Sequence, residues 1–366
     1  MHRDLVKYFI GRYLDVYIAW ALDEKLRFDS ASGGVATALL KYLLERGLVE
    51  ATVLPRSIMK RGVVYGLWTI VTEPSELGKY SGSIYAPTVG LKVLAHALKK
   101  YRRLAVTALP CQSRAVRKLL RRWDRKEDVI IIGLYCNNTP SSLATSYALR
   151  FFGFPEEDVE KLFYRGHGWP GCTTIKVSDR LIYIPFLLFF DSGFGQYFYG
   201  RACYLCSDHT NVDADVALAD PWTLPQERFS KIGGATLVVI RSERGLKVFE
   251  GAVEMGYIAA EKVDPVYAVQ DTTLLKASRR VFAGGSTEVK LPPGFTTVAY
   301  ELTYLVGHVL ASRERLWRLL QLYHKVVRSP ILMLTSLLDS ILGTRWGRLS
   351  KNIKLLQRLK ASELRH

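Results

Sequence analysis

Between Leu104 and Leu134 two short apolar runs bracket a basic stretch, and no other part of the chain restricts its fold as strongly. Leu104–Ala108 and Val129–Leu134 are almost wholly apolar, as strands covered on both faces must be. Residues 112–122 between them read as a basic helix, so the segment runs strand, turn, helix, strand: a βαβ unit. Residues 51–54, 214–219 and 235–240 repeat the strand pattern, and a helix over 244–255 follows the last of them. Val35, Leu39, Leu40, Leu43 and Leu44 place another helix over 33–47, behind a polar start at Ser30 and Ser32 and closed by Gly47. Together these predict an α/β fold, a mixed or mostly parallel sheet core with flanking helices.

The pattern breaks near residues 276–296, at Ala283-Gly284-Gly285-Ser286 and Leu291-Pro292-Pro293-Gly294. Residues 281–296 read as a linker. Beyond it, 297–325 and 331–360 read as helices separated by Ser329-Pro330, so 297–366 is predicted as a C-terminal basic helical extension. The chain has 51 Lys and Arg against 34 Asp and Glu, a net charge of +17 that calls for an anionic partner. From His308 onward the count is 12 against 3, so about half of the excess lies in that extension. It is expected to dock an acidic partner subunit, with peripheral contact at a membrane surface as the alternative for residues 331–342. No apolar run approaches the roughly 18 residues of a membrane span. The first residues lack the apolar core of a signal peptide, which predicts a cytoplasmic location.

Five cysteines in such a chain argue for metal or redox chemistry rather than a disulfide framework. Cys111 follows one strand of the βαβ unit and Cys136 the other, and neighbouring parallel strands end on a common edge. Cys203 and Cys206 form a CxxC pair, whose spacing lets two thiolates face one metal or cluster. Four thiolates suit either a 4Fe-4S cluster or zinc, and spacing alone does not choose. Each strand cysteine alone also reads as a small core residue, as Cys172 does. Two other runs are rich in small residues. Ser30-Ala31-Ser32-Gly33-Gly34 opens a helix, where backbone N–H groups and the helix dipole favour an anion, although a cap and turn is the commoner use. Tyr164-Arg165-Gly166-His167-Gly168-Trp169-Pro170-Gly171 sets a fixed cation and an indole among glycines, a loop suited to a flat charged ligand or to a simple turn around a buried Trp.

In this order, with Ser83-Ile84-Tyr85-Ala86-Pro87 and Asp220-Pro221-Trp222, the segments between Tyr13 and Lys276 resemble the beta subunits of coenzyme F420 hydrogenases and dehydrogenases. The resemblance implies an oxidoreductase that binds FAD and a 4Fe-4S cluster and moves hydride between FAD and the deazaflavin coenzyme F420. It divides the chain into a lead (1–12), an N-terminal part (13–95) and a C-terminal part (96–280) of the catalytic domain. By resemblance Cys111, Cys136, Cys203 and Cys206 are the cluster ligands. Ser30, Ser32, Gly33, Gly34 and Thr37 become flavin contacts, and Tyr85, Pro87, Arg165, Gly166, Trp169 and Lys231 line the flavin or its substrate.

Two departures qualify what is implied. No cysteine precedes Cys111, whereas many relatives begin with a cysteine-rich ferredoxin-like segment. One cluster rather than three is therefore expected, with electrons leaving through a separate partner subunit or ferredoxin. Ile84 stands where relatives commonly carry Lys, and Ala219 where many have Gly, which leaves the substrate open. The alternative within the fold is a ferredoxin-linked FAD and 4Fe-4S reductase of another conjugated substrate. The alternative of another class is a zinc-holding, basic nucleic-acid-binding protein, which no recognisable nucleic-acid-binding pattern accompanies.

Overall fold

The computed structural model describes residues 2–282, apart from 61–62, 194–197, 226–228 and 230–232. Lys231, most of the expected linker and the whole basic extension lie outside the described residues. The chain opens with α1 (His2–Ile10), β1 (Asp15–Ala21), α2 (Glu24–Asp29) and α3 (Val35–Glu45). A hairpin follows, β2 (Ala51–Lys60) and β3 (Val63–Val71), then the short β4 (Thr88–Val89) and α4 (Leu91–Lys100). The βαβ unit is β5 (Leu104–Ala108), α5 (Pro110–Arg122) and β6 (Val129–Leu134). Next come α6 (Ser142–Phe151), three strands β7 (Val159–Gly166), β8 (Cys172–Val177) and β9 (Arg180–Pro185), then α7 (Phe186–Gly193) and α8 (Arg201–Leu205). The chain returns through β10 (Val216–Ala219), β11 (Thr236–Ile240), α9 (Glu243–Glu254), β12 (Ile258–Lys262) and α10 (Asp271–Phe282).

Nine strands form one mixed sheet in the order β12-β1-β11-β10-β6-β5-β2-β3-β4. Its centre is parallel: β2 with β5, β5 with β6, and β6 with β10. Antiparallel pairs flank that centre, β10-β11-β1-β12 on one side and β2-β3 on the other. The central strands alternate residue by residue between two cores. Leu104, Val106, Val129, Ile131 and Leu237 pack with α1, α4 and α5 on one face, while Ala105, Ile132, Val216 and Val238 pack with α3 and α9 on the other. This double coverage explains why these strands read as continuous apolar runs. The strand at 51–54 proves longer than its apolar stretch, because only its first half lies inside the sheet against β5, and its polar second half continues as the hairpin. A third core, built around Tyr147, Tyr164 and Phe189, joins α6 and α7 to a separate antiparallel sheet of β7, β8 and β9.

Candidate functional site

β5 and β6 end side by side, with Ala108 opposite Gly133, and a cysteine lies three residues beyond each member of that pair. Cys111 lies in the first turn of α5, where Pro110 opens the helix without forfeiting a hydrogen bond. The Cys136 N–H donates to the His209 carbonyl at 3.0 Å. Asn211 fastens the two strand ends, its Nδ2 donating to Ala108 O at 2.8 Å and Leu134 O at 3.3 Å. Gly133 makes room for it: a Cβ there would lie 2.5 Å from both Asn211 Nδ2 and Ala214 Cβ.

The CxxC pair reaches the same edge by another route. Pro140 bridges Tyr199, and the Gly200 N–H donates to Thr139 O at 3.3 Å, which brings α8 beside the chain that leaves β6. Cys203 sits in α8 and accepts from the Thr139 N–H at 3.4 Å, while Cys206 caps the helix with its Sγ 3.2 Å from Asp208 O. The thiols are close enough to act on one another. Burial raises the Cys111 thiol although that residue sits at the rim, and Cys206 and Cys203 raise it further. Burial pushes Cys136 up to about 12; Lys276 opposes the rise, and Cys203, Cys111 and Cys206 add to it. Cys172, at the start of β8, is not among the groups acting on either. Among the described residues no three His, Cys, Asp or Glu side chains converge closely enough to hold a single metal ion.

A second region gathers the other sequence-predicted segments. Arg165 at the end of β7 is buried and forks onto Asp220, Nη1 to Oδ2 at 2.6 Å and Nη2 to Oδ1 at 2.8 Å. Trp169 Nε1 donates to the same Asp220 Oδ1 at 2.8 Å. Burial alone would lower the Arg165 guanidinium, but Asp220 and Tyr85 overcome it and the net direction is upward. Phe186 and Trp222 lie within 4.7 and 5.7 Å of its charge. The loop closes onto α2 through the Gly168 N–H, which donates to Phe28 O at 2.8 Å. Arg27 of α2 donates from Nε to Gly234 O at 2.8 Å and lies over the Trp20 ring. Its Nη2 is buried without a hydrogen-bond partner among the described residues, and burial lowers this guanidinium with only Glu24 opposing.

Each expected flavin contact among the described residues has a definite place. The Ser30 hydroxyl donates to Leu26 O and the Ser32 hydroxyl to Ala235 O, both at 2.6 Å, so both are engaged within the chain. Gly33 has φ +62°, and a Cβ there would lie 2.7 Å from Ala235 Cα. Gly34 is the N-cap of α3 and offers no side-chain cap, and Thr37 is buried within that helix. Tyr85 packs against Phe186 and Tyr164 in an aromatic cluster, Pro87 O accepts from the Gly66 N–H at 2.8 Å, and Gly166 pairs with Cys172 across the small sheet. The structure thus brings the Ser-Gly-Gly segment, the 165–169 loop and residues 233–236 together, and the four cysteines together elsewhere.

Hydrogen bonds link the two regions. Gln270 Nε2 donates to Asp220 O at 2.7 Å, its N–H donates to Thr273 Oγ1 at 3.1 Å, and that hydroxyl lies 2.7 Å from His209 Nδ1. Burial, aided by Lys276, pushes His209 down to about 3, which keeps it neutral. Sequence reasoning missed Arg27, Asn211 and Lys276. Only Arg27 carried a signal, a cation three residues ahead of a run rich in small residues.

Residues 16–95 match the N-terminal part, and residues 101–266 the C-terminal part, of the family described as "Coenzyme F420 hydrogenase/dehydrogenase, beta subunit". The F420-dependent formate dehydrogenase subunit beta of Methanocaldococcus jannaschii is 28% identical over 277 residues, covering 71% of this chain and 66% of that relative. The coenzyme F420 hydrogenase subunit beta of Methanothermobacter thermautotrophicus is 23% identical over 270 residues, covering 70% of this chain and 87% of that one. In fold, the chain resembles a chain of the F420-reducing NiFe hydrogenase complex from Methanosarcina barkeri, with a TM-score of 0.55 and 18% identity over 84% of this chain and 94% of that one. No helix among the described residues is long and apolar enough to cross a membrane. The chain belongs to the coenzyme F420 hydrogenase/dehydrogenase beta subunit family.

Proposed function

We propose that the chain is the electron-transfer subunit of an F420-dependent hydrogenase or dehydrogenase. In this reading Cys111, Cys136, Cys203 and Cys206 hold a 4Fe-4S cluster, and the surface of residues 27–34, 165–169 and 233–236 receives FAD. The observation that carries the reading is that four thiols from three distant segments reach one edge of the sheet, where Cys203 Sγ meets the Thr139 N–H at 3.4 Å and Cys203 and Cys206 both act on Cys111 and Cys136. When bound, the flavin exchanges a hydride with the deazaflavin and the cluster passes single electrons onward to a partner subunit or ferredoxin.

The chain's own residues fit these groups. The α5 N-terminus favours charge on Cys111, and the Thr139 N–H donates to Cys203 Sγ at 3.4 Å. Asn211 keeps the ends of β5 and β6 in register, so that the spacing of Cys111 and Cys136 is fixed before any metal arrives. On the flavin side, the orphaned Arg27 Nη2 is a buried cationic donor with capacity for an anionic group. Arg165 has no such capacity to spare, because Asp220 and Pro170 O already engage it; its part is to hold the Trp169 loop in place.

Anaerobic purification with iron, sulfide, zinc and released-flavin assays tests the reading. About four irons and one FAD per chain are expected, with broad absorbance near roughly 400 nm. Cys136→Ala is expected to lose most of the iron and Cys172→Ala to keep it. A colourless protein that holds one zinc and no flavin after reconstitution would sink the proposal. The ferredoxin-linked reading draws on Ile84, which packs against the third core where relatives commonly place Lys. Failure of reduced coenzyme F420 to bleach an intact flavin would favour that reading.

A further inference from the structure

Lys276, on α10, points its ammonium into the cysteine corner. The side chain is buried, with 2% of its surface exposed. Its Nζ donates to Cys136 O at 2.8 Å and Asp208 O at 3.2 Å, both backbone carbonyls. No carboxylate among the described residues pairs with it. The Asp208 carboxylate is the natural candidate, but it accepts instead from the N–H groups of Thr210, Asn211 and Val212. His209 Nδ1 is taken up by Thr273 Oγ1 at 2.7 Å, and the remaining ionisable neighbours are the thiols themselves. A buried ammonium solvated by carbonyl dipoles alone is incomplete, since interior charges are normally met by an opposite charge.

We infer that Lys276 is the built-in counter-charge of the four-cysteine group: the described residues give its cation no carboxylate because the thiolates and the anionic cluster they hold complete the pair. The inference rests on the cluster reading above and deepens it. Lys276 acts through the thiolates rather than on any substrate, so it is a positioning residue. The consequence is electrostatic. A fixed positive charge beside a group that gains an electron stabilises the reduced form and raises the reduction potential. Burial holds the effect, because a pair in the interior is screened by salt far less than one at the surface.

The test compares Lys276→Met and Lys276→Arg with the parent in the full-length, anaerobically reconstituted protein. Lys276→Met is expected to bind iron yet to show about a tenfold lower reduced-to-oxidised ratio at a fixed poise, equivalent to about 59 mV for one electron. Lys276→Arg, which keeps the charge, is expected to stay within about threefold of the parent on the same one-electron scale. Melting of the iron-free forms provides a readout that does not depend on electron transfer. Without the cluster, Lys276→Met is expected to be as stable as the parent or more so, and the rise in melting temperature on loading iron is expected to shrink. Iron-loaded Lys276→Met with the parent's potential and the parent's gain on loading would overturn the inference while leaving the cluster intact. Lys276→Met that is destabilised equally with and without iron would make Lys276 a packing residue and also overturn it. A parent that never binds iron would overturn the cluster reading and this inference with it.

Discussion

Arg165 and Lys276 pose the same physical problem and the protein treats them differently. Both are cations with almost no exposed surface, at 3% and 2%. Arg165 is completed within the chain: Asp220 supplies a bidentate carboxylate, Pro170 a carbonyl, and the rings of Phe186 and Trp222 lie beside the guanidinium. Lys276 has two carbonyls and, among the described residues, no carboxylate. Arg27 falls with Lys276, since one nitrogen is satisfied and another is orphaned. A cation whose work is architectural is best neutralised by the fold itself. In the proposed reading, Lys276 and Arg27, each left short of a partner among the described residues, are where bound groups are received. The two regions therefore divide into a finished scaffold and two unfinished sockets.

Breaking the finished pair should give the largest effect. Asp220→Ala leaves Arg165 buried without its carboxylate and removes the acceptor of Trp169 Nε1. A loss of about 3–5 kcal/mol in urea-unfolding stability is expected, the usual range for removing one partner of a buried ion pair. The double replacement Arg165→Met with Asp220→Leu should recover much of that loss, because no charge is then stranded. A loss below about 1 kcal/mol for Asp220→Ala would mean that solvent already screens the pair, whose Asp220 side chain is 19% exposed, and the contrast with Lys276 would collapse.

A smaller effect is expected where the cysteine-bearing strand ends are locked. Gly133→Ala would force a methyl into Asn211 and Ala214, and displacement of a side chain in a packed interior costs about 1–3 kcal/mol. The displaced Asn211 would no longer clamp both Ala108 and Leu134. The melting temperature should fall and the iron content with it. Full iron retention at a lowered melting temperature would place the cysteine spacing under the control of α5 and α8 instead.

The sheet centre was legible in the sequence because strands covered on both faces leave continuous apolar runs, as at Leu104–Ala108 and Val129–Leu134. The polar half of β2 and the strand β1 were not, since pairing with β3, β11 and β12 is long-range and leaves no local period distinct from an irregular segment. The thiols were legible because cysteine carries its chemistry in its identity. The Ser-Gly-Gly run was legible as a helix start, and it meets residues 233–236 in the fold, but its hydroxyls are spent on Leu26 and Ala235. Lys276 was invisible for a simple reason. A lysine in an amphipathic helix reads as a solvated side chain until the fold shows that it is buried.

The smallest effect on folding, and the sharpest on binding, is expected at Arg27. Arg27→Met surrenders one hydrogen bond to Gly234 O but also removes a buried charge and its orphaned nitrogen. These oppose each other, so unfolding stability should stay within about 1 kcal/mol of the parent. Affinity for FAD should respond quite differently. A hydrogen bond to a charged group contributes about 1.5–3 kcal/mol, which corresponds to roughly a 10- to 150-fold weaker complex in a fluorescence titration. Arg27→Lys, which keeps the charge but not the fork, should fall between the two. If Arg27→Met binds FAD as the parent does while Asp220→Ala destroys the fold, then the orphaned nitrogen marks only an imperfectly packed arginine. The contrast between finished and unfinished cations would then hold at the cysteine corner alone.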